Sequence, residues 1–279
     1  MKTLRNVMSI DVEVWFCVYN LSAHIPFAQW PQMESRVERS TLRLLDLFHR
    51  HQVEGTFFVL GWVAERFPDL VREIENRGHE IATHGYSHRL LTHMSEEEFR
   101  ADLGRSLEVL AKIARQPVRG HRAPSFSVTR QTPWAASIMR DAGLHYDSSV
   151  FPLGIHPDYG IADAPLTPYW LIDQQLREIP MSCAEFGSWR IPCRGGGYFR
   201  QYPYALTRSL IRRCNDAGRP VIFYLHPWEI DPDQPRVPAL SWSKQFRHYH
   251  NLHRTEERLE RLLQDFQFHS VRRMLENPA

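Results

Sequence analysis

The sequence predicts an α/β fold built on a parallel sheet, open or closed into a barrel. Two observations predict it. Short apolar runs alternate with segments of helical spacing, and carboxylates, imidazoles and an arginine recur where the apolar runs end. Parallel α/β folds gather their reactive groups at the carboxyl ends of strands, so the second observation supports the first. At 279 residues the chain has room for one barrel domain or two smaller domains.

Taken in order, residues 6–10 are a short apolar strand that ends in Asp11-Val12-Glu13. Residues 35–51 carry helical spacing through Val37, Leu42, Leu44, Leu45 and Phe48, and residues 55–61 are a glycine-bounded buried strand. Residues 68–77 are a helix with Pro68 in its first turn and Gly78 past its end. Glu80-Ile81-Ala82-Thr83 is a strand running into His84-Gly85-Tyr86-Ser87-His88, which reads as a tight helical turn. Ser95 starts a helix, with Glu98 completing a capping box. Strand 118–120, helix 134–142 and strand 144–147 repeat the pattern, and strands 177–180 and 220–225 flank the helix 204–217. The final helix, to Phe268, is amphipathic and reads as core cover.

Composition excludes several classes. Lys+Arg of 34 against Asp+Glu of 32 leaves a formal charge of +2, so no attraction to nucleic acid follows. The 4 cysteines include no Cys-x-x-Cys, which argues against a zinc ribbon or redox pair and for a reduced chain. No run is long enough for a transmembrane segment, and residues 1–10 lack a signal-peptide core. The expectation is a cytoplasmic protein.

Chemistry concentrates at the strand exits. In a helical turn His84 and His88 share a face, and two neutral imidazoles aimed at one point bind a borderline metal such as zinc, given a third ligand. Asp11 and Glu13, two apart at a strand end, face one side, and paired carboxylates need a cation or a shared proton. A metal held by Glu13, His84 and His88 satisfies both requirements and leaves Asp11 free as a base. His93 and His121 read as structural or supporting groups. Gly195-Gly196-Gly197 is not a phosphate loop, because no Lys-Ser/Thr follows; with Tyr198-Phe199-Arg200 it is a loop, either plain or lining a sugar site.

Asp11-Val12-Glu13, Thr56-Phe57-Phe58, Gly78-His79-Glu80, His84-Gly85-Tyr86-Ser87-His88, Arg122-Ala123-Pro124 and Leu225-His226 follow one another in a familiar order. Over roughly residues 5–230 the chain resembles the polysaccharide deacetylases, carbohydrate esterase family 4 of the NodB-homology superfamily. His226-Pro227-Trp228-Glu229-Ile230-Asp231 and Phe246-Arg247-His248-Tyr249 resemble the subgroup associated with bacterial exopolysaccharide and exosortase systems. The resemblance implies a distorted (β/α)7-type barrel, with residues 1–230 as the catalytic domain and 231–279 as a C-terminal extension packed on it.

It also implies a divalent metal, zinc first, with cobalt, nickel or manganese suited to the same ligands Glu13, His84 and His88. Such a metal polarises an N-acetyl carbonyl and lowers the pKa of a bound water. Asp11 is then the general base, oriented by Arg122, and His226 the general acid, its pKa raised by Asp147. A backbone N–H near Ser125 meets the oxyanion, and Trp15, Tyr86, Ser125, Phe126, Tyr198 and Trp228 contact the sugar. Two departures stand out: the first motif ends in Glu13 where adjacent aspartates are common, and Ala123 and Ser125 replace a proline and an aromatic residue.

The implied activity is metal-dependent hydrolysis of an N-acetyl group, with acetate release, from an N-acetylated amino sugar of an oligo- or polysaccharide or its lipid-linked precursor. The implied setting is exopolysaccharide biosynthesis, and the final helix leaves room for a homo-oligomer. The alternatives are a related C–N hydrolase acting on a cyclic imide, ureide or formamide, and a non-catalytic carbohydrate-binding scaffold. The scaffold is disfavoured because every required role has a residue to fill it.

Overall fold

The computed structural model describes residues 4–154 and 159–277. Its strands are β1 Asn6–Val12, β2 Thr56–Val59, β3 Glu80–Thr83, β4 Gly120–His121, β5 Tyr146–Asp147, β6 Tyr169–Ile172, β7 Leu176–Glu178, β8 Cys183–Phe186, β9 Trp189–Pro192, β10 Ile222–Leu225 and β11 Phe268–His269. Its helices are α1 Val37–Arg50, α2 Gly61–Arg66, α3 Pro68–Asn76, α4 Glu96–Ala111, α5 Ala135–Asp141, α6 Gly196–Gln201, α7 Tyr204–Asp216, α8 Trp242–Tyr249, α9 Leu252–Asp265 and α10 Val271–Glu276.

The main sheet has the order β10-β1-β2-β3-β4-β5-β7-β6, with β11 paired to the start of β1 at Asn6 and Val7. It is parallel except for β6 against β7, and it curls into a half-barrel. Every residue of β1, β2 and β3 is buried, as expected for parallel strands covered on both faces. Helix α1 turns Val37, Leu44, Leu45, Leu47 and Phe48 inward against this layer. Burying side chains of this size contributes roughly 1.5–3 kcal/mol each.

The register aligns the strand exits. Ile10 pairs with Leu225 on one side and Phe57 on the other, and Thr83 pairs with His121. Asp11, His84, Arg122 and His226 therefore emerge along one edge of the sheet.

Four local expectations change. Residues 84–88 form no helical turn; Gly85 and His88 take φ of +70° and +55°, and the chain doubles back as a loop. The final amphipathic segment ends as α9 at Asp265, and Phe268 begins β11, because its ring packs with Phe223 at the sheet. Antiparallel pairs β6–β7 and β8–β9 follow the parallel strands, built from short stretches with exposed positions and no clean period. Gly195 to Gly197 is not a loop throughout, since α6 starts at Gly196. The capping box at Ser95 is present, with the Glu98 amide donating to Ser95 Oγ at 3.2 Å and the Ser95 amide to the Glu98 carboxylate at 2.9 Å.

Candidate active site

A cavity of about 590 Å³ opens at the carboxyl edge of the sheet, lined among others by Asp11, Glu13, His84, His88, Ser125 and His226. Asp11 is the last residue but one of β1 and Glu13 lies one residue past the strand, its amide donating back to the Asp11 carbonyl at 3.0 Å. That turn keeps both carboxylates on the cavity side although Glu13 has left the strand.

Glu13, His84 and His88 bring one donor atom each to within 4.8 Å of one another, all buried. Three features of this cluster suit a cation. His84 Nδ1 lies 2.8 Å from the Arg122 carbonyl, which accepts only a proton, so the other ring nitrogen carries the lone pair. Burial pushes the His84 imidazole down to about 4, the neutral form a ligand requires. Glu13 Oε2 lies 2.5 Å from His88 Nε2, so a carboxylate oxygen and an imidazole nitrogen face each other inside the cluster. Burial raises the Glu13 carboxyl, but the neighbouring His88 and His226 outweigh it and hold the group well below the usual carboxylate range. The donor set of two imidazoles and a carboxylate fits zinc and its borderline neighbours.

The histidine loop is held from outside the cluster. The Tyr86 and Ser87 amides donate to the Asp102 carboxylate on α4 at 2.7 and 3.1 Å, and the Ser87 hydroxyl bonds the same group. The Gly61 amide on α2 donates to the Gly85 carbonyl at 2.7 Å. The result is two imidazole rings with centroids 5.3 Å apart.

Arg122, fully buried, donates to Asp11 Oδ1 at 2.7 Å, to Ser9 Oγ at 2.8 Å, and to the carbonyl and hydroxyl of Ser148 at 3.0 Å. Its guanidinium lies 4.1 Å from the Phe58 ring centroid. The fork is thus fixed along its donor edges and by the Phe58 ring, and presents Asp11 to the cavity.

His226 follows β10. Its Nε2 faces Asp11 at 3.9 Å and Glu13 at 3.5 Å, and its Nδ1 lies 2.7 Å from Glu229 Oε1. Burial lowers the imidazole, but Glu13 and Glu229 overcome it and push it up to about 9. Trp228 stacks on His226 at 5.1 Å and donates its indole N–H to Glu13 Oε1 at 2.9 Å.

The expected pairing of Asp147 with His226 is corrected. Asp147 Oδ1 lies 2.8 Å from His121 Nδ1 and accepts from Ser149 Oγ at 2.6 Å, one strand layer away from the cavity. Glu229 holds His226 instead, because the turn after His226 folds it back onto the ring. Two expected sugar contacts also fall elsewhere. Trp15 is buried in the core with its N–H on the Glu34 carbonyl, and the Tyr86 hydroxyl donates to Glu65 beneath Arg105; neither lines the cavity. Ser125, Phe126, Tyr198 and Trp228 do line it. Arg194, Phe246, Arg247 and His248 also line the cavity, a role sequence reasoning gave to none of them. His248 stacks on Trp228 at 4.6 Å and lies 3.0 Å from Gln234.

Residues 28–146 match the polysaccharide deacetylase family model, and residues 148–276 match a domain of unknown function, DUF3473. The likeness to a polysaccharide deacetylase domain of the carbohydrate esterase family 4, NodB type, thus covers residues 28–146. It is 38% identical over 96 residues to a peptidoglycan-N-acetylglucosamine deacetylase of Bacillus cereus, covering 34% of this chain and 35% of that protein. It is 31% identical over 107 residues to a chitooligosaccharide deacetylase of Rhizobium leguminosarum bv. trifolii, covering 37% of this chain and 47% of that one. The chain thus spans less than half the length of each of these relatives.

Among solved structures, a polysaccharide deacetylase homologue from Mycobacterium smegmatis superposes with a TM-score of 0.60 at 21% identity, over 99% of this chain and 94% of that one. A carbohydrate esterase family 4 pseudoenzyme from Bacillus anthracis superposes with a TM-score of 0.51 at 13% identity, over 98% and 66%. These likenesses establish the fold.

Proposed function

We propose that this chain hydrolyses the N-acetyl group of an N-acetylated amino sugar in a reaction that depends on a divalent metal, zinc first. The observation that carries the reading is the convergence of Glu13, His84 and His88 beside Asp11, with Arg122 behind Asp11 and His226 facing it. A cation bound by the three donors would supply Lewis acidity toward the acetyl oxygen and acidify a bound water. Asp11, fixed by Arg122, takes a proton from the attacking water as the new C–O bond forms. The C–N bond breaks as protonated His226 gives its proton to the departing nitrogen, leaving acetate and a free amine. The ring stack Trp228–His226 holds the acid in place during this transfer.

The names of the relatives support a peptidoglycan- or chitin-like acetamido sugar. The finer assignment, a precursor of a bacterial exopolysaccharide, rests on the resemblance of residues 226–231 and 246–249 to that subgroup. Acetate release from N-acetylglucosamine oligomers by the metal-loaded protein tests the activity. Asp11→Asn is expected to lower it by about 10²–10⁴-fold. Ring opening of cyclic imides without acetate release would replace this reading with the related C–N hydrolase.

A further inference from the structure

Arg194 stands apart from the other buried arginines. Arg122 spends its N–H groups on a carboxylate, two hydroxyls and a carbonyl. Arg200 spends its own on Glu229 and on the carbonyls of Arg247, His248 and His250. Arg194 is equally buried, 2% exposed, yet Nε and Nη1 have no hydrogen-bond partner and no carboxylate pairs with it among the described residues. It lines the same cavity as the proposed catalytic groups.

Its surroundings are aromatic. The guanidinium carbon lies 3.7 Å from the centroid of Phe151 and 4.4 Å from that of Phe126, with Tyr224 at 5.4 Å and Tyr198 at 5.5 Å. Ring faces stabilise a cation but accept none of its in-plane N–H bonds. They also exclude water, so an anion reaching the fork would meet an unscreened charge.

The glycine run seats this group. A Cβ on Gly195 would lie 2.0 Å from the Tyr224 carbonyl, and one on Gly196 2.3 Å from the Tyr224 hydroxyl. Only glycine lets the chain after Arg194 press against β10, where the Tyr224 amide donates to the Arg194 carbonyl at 2.7 Å. Arg194 is thereby anchored two residues from the strand exit that carries His226. Phe126 and Tyr224 stand between Arg194 and Arg122, with the Arg122 carbon 5.7 and 5.9 Å from the same two rings.

We infer that Arg194 is a binding site for an anionic oxygen group of the substrate, so that the preferred substrate is an acetamido sugar bearing a carboxylate or a phosphate. The inference rests on the proposed deacetylase reading and names its substrate class. Its Nε and Nη1 donors lie on different edges of the planar guanidinium, and either can give a charge-assisted hydrogen bond to a carboxylate or phosphate oxygen.

The test is calorimetric binding to the metal-loaded protein of three probes: N-acetylglucosamine, N-acetylmuramic acid and N-acetylglucosamine 1-phosphate. At least one anionic probe is expected to bind about ten- to a hundredfold more tightly than the neutral sugar, and which one does so tells carboxylate from phosphate. Arg194→Gln should erase that preference, Arg194→Lys should keep part of it, and Arg247→Gln at the exposed rim should leave most of it. Equal binding of all three probes by the wild type overturns the inference, whatever the variants do. So does a preference that survives in a folded Arg194→Lys undiminished, or one lost equally in Arg247→Gln. Acetate release from neutral oligomers with no anionic preference would sink this inference and spare the proposed activity. Anionic preference without any acetate release would do the reverse.

Discussion

Glu229 grips His226 twice: its Oε1 accepts from the His226 amide at 3.2 Å and lies 2.7 Å from Nδ1 of the same residue's ring. Its Oε2 meanwhile accepts from Arg200 at 2.6 Å. Burial raises the Glu229 carboxyl, but Arg200 and His226 more than offset this and keep it ionised below its usual range. The ring is thus pinned by one nitrogen and presents the other to Asp11 and Glu13.

A pH effect follows. With its pKa raised to about 9, His226 is protonated at neutral pH and loses its proton, and so its proposed role as an acid, as pH rises through that value. Glu229→Gln removes a negative charge that favours the protonated ring. The basic limb of the kcat/KM profile should move to lower pH, by about one unit or more. A pH–rate profile of the variant against the wild type checks this, with an NMR titration of the His226 ring as the direct readout. An unmoved basic limb would remove Glu229 from the proton-transfer machinery.

Asp102 touches no proposed ligand but fixes the loop that carries two of them. Asp102→Ala frees the Tyr86 and Ser87 amides, and metal affinity should fall about 10–100-fold, the usual cost of losing a supporting bond. Competition with a chromogenic chelator measures the affinity. Faster hydrogen exchange at Tyr86 and Ser87 would locate the cause in the loop.

Arg122→Met leaves the buried Asp11 carboxylate without its cation and Ser148 without a donor. Breaking a buried pair in this way costs about 3–5 kcal/mol. Urea unfolding should show that loss, and acetate release should fall with it. Retained stability would mean that Asp11 finds another partner.

Two tryptophans separate site from core. Trp228→Phe removes the N–H on Glu13 and part of the stack on His226, so activity should drop about tenfold or more. Trp15→Phe removes a bond to the Glu34 carbonyl, neither partner lining the cavity, so it should cost about 1 kcal/mol of stability and leave KM unchanged. Steady-state kinetics on both variants distinguishes them.

The parallel strands were legible because continuous burial writes itself as apolar runs, as in Asn6 to Val12. The placement of Asp11, Glu13, His84, His88, Arg122 and His226 was legible for a related reason: strand exits in such sheets share an edge. What periodicity does not encode is where a turn sends the next side chain. The His84–His88 loop depends on Asp102, which sits 14 residues past His88 on another element. Glu229 returns to His226 through a short turn whose Pro-x-Glu pattern resembles a capping box, a signal that could have been read. Trp15 and Tyr86 neighbour motif residues along the chain but point away from the cavity. Arg194 carries no mark in sequence beyond the glycines after it; its role depends on Tyr224 arriving on β10 and Phe126 in the turn after β4.

The most direct single measurement is metal stoichiometry of the purified protein by elemental analysis after zinc loading and desalting, with His84→Ala alongside. The expected result is about one zinc per wild-type chain and far less in a variant that still unfolds cooperatively. Absence of zinc, cobalt, nickel and manganese from the wild type under all loading conditions would contradict the shared site of Glu13, His84 and His88, and would return the fold to a carbohydrate-binding scaffold.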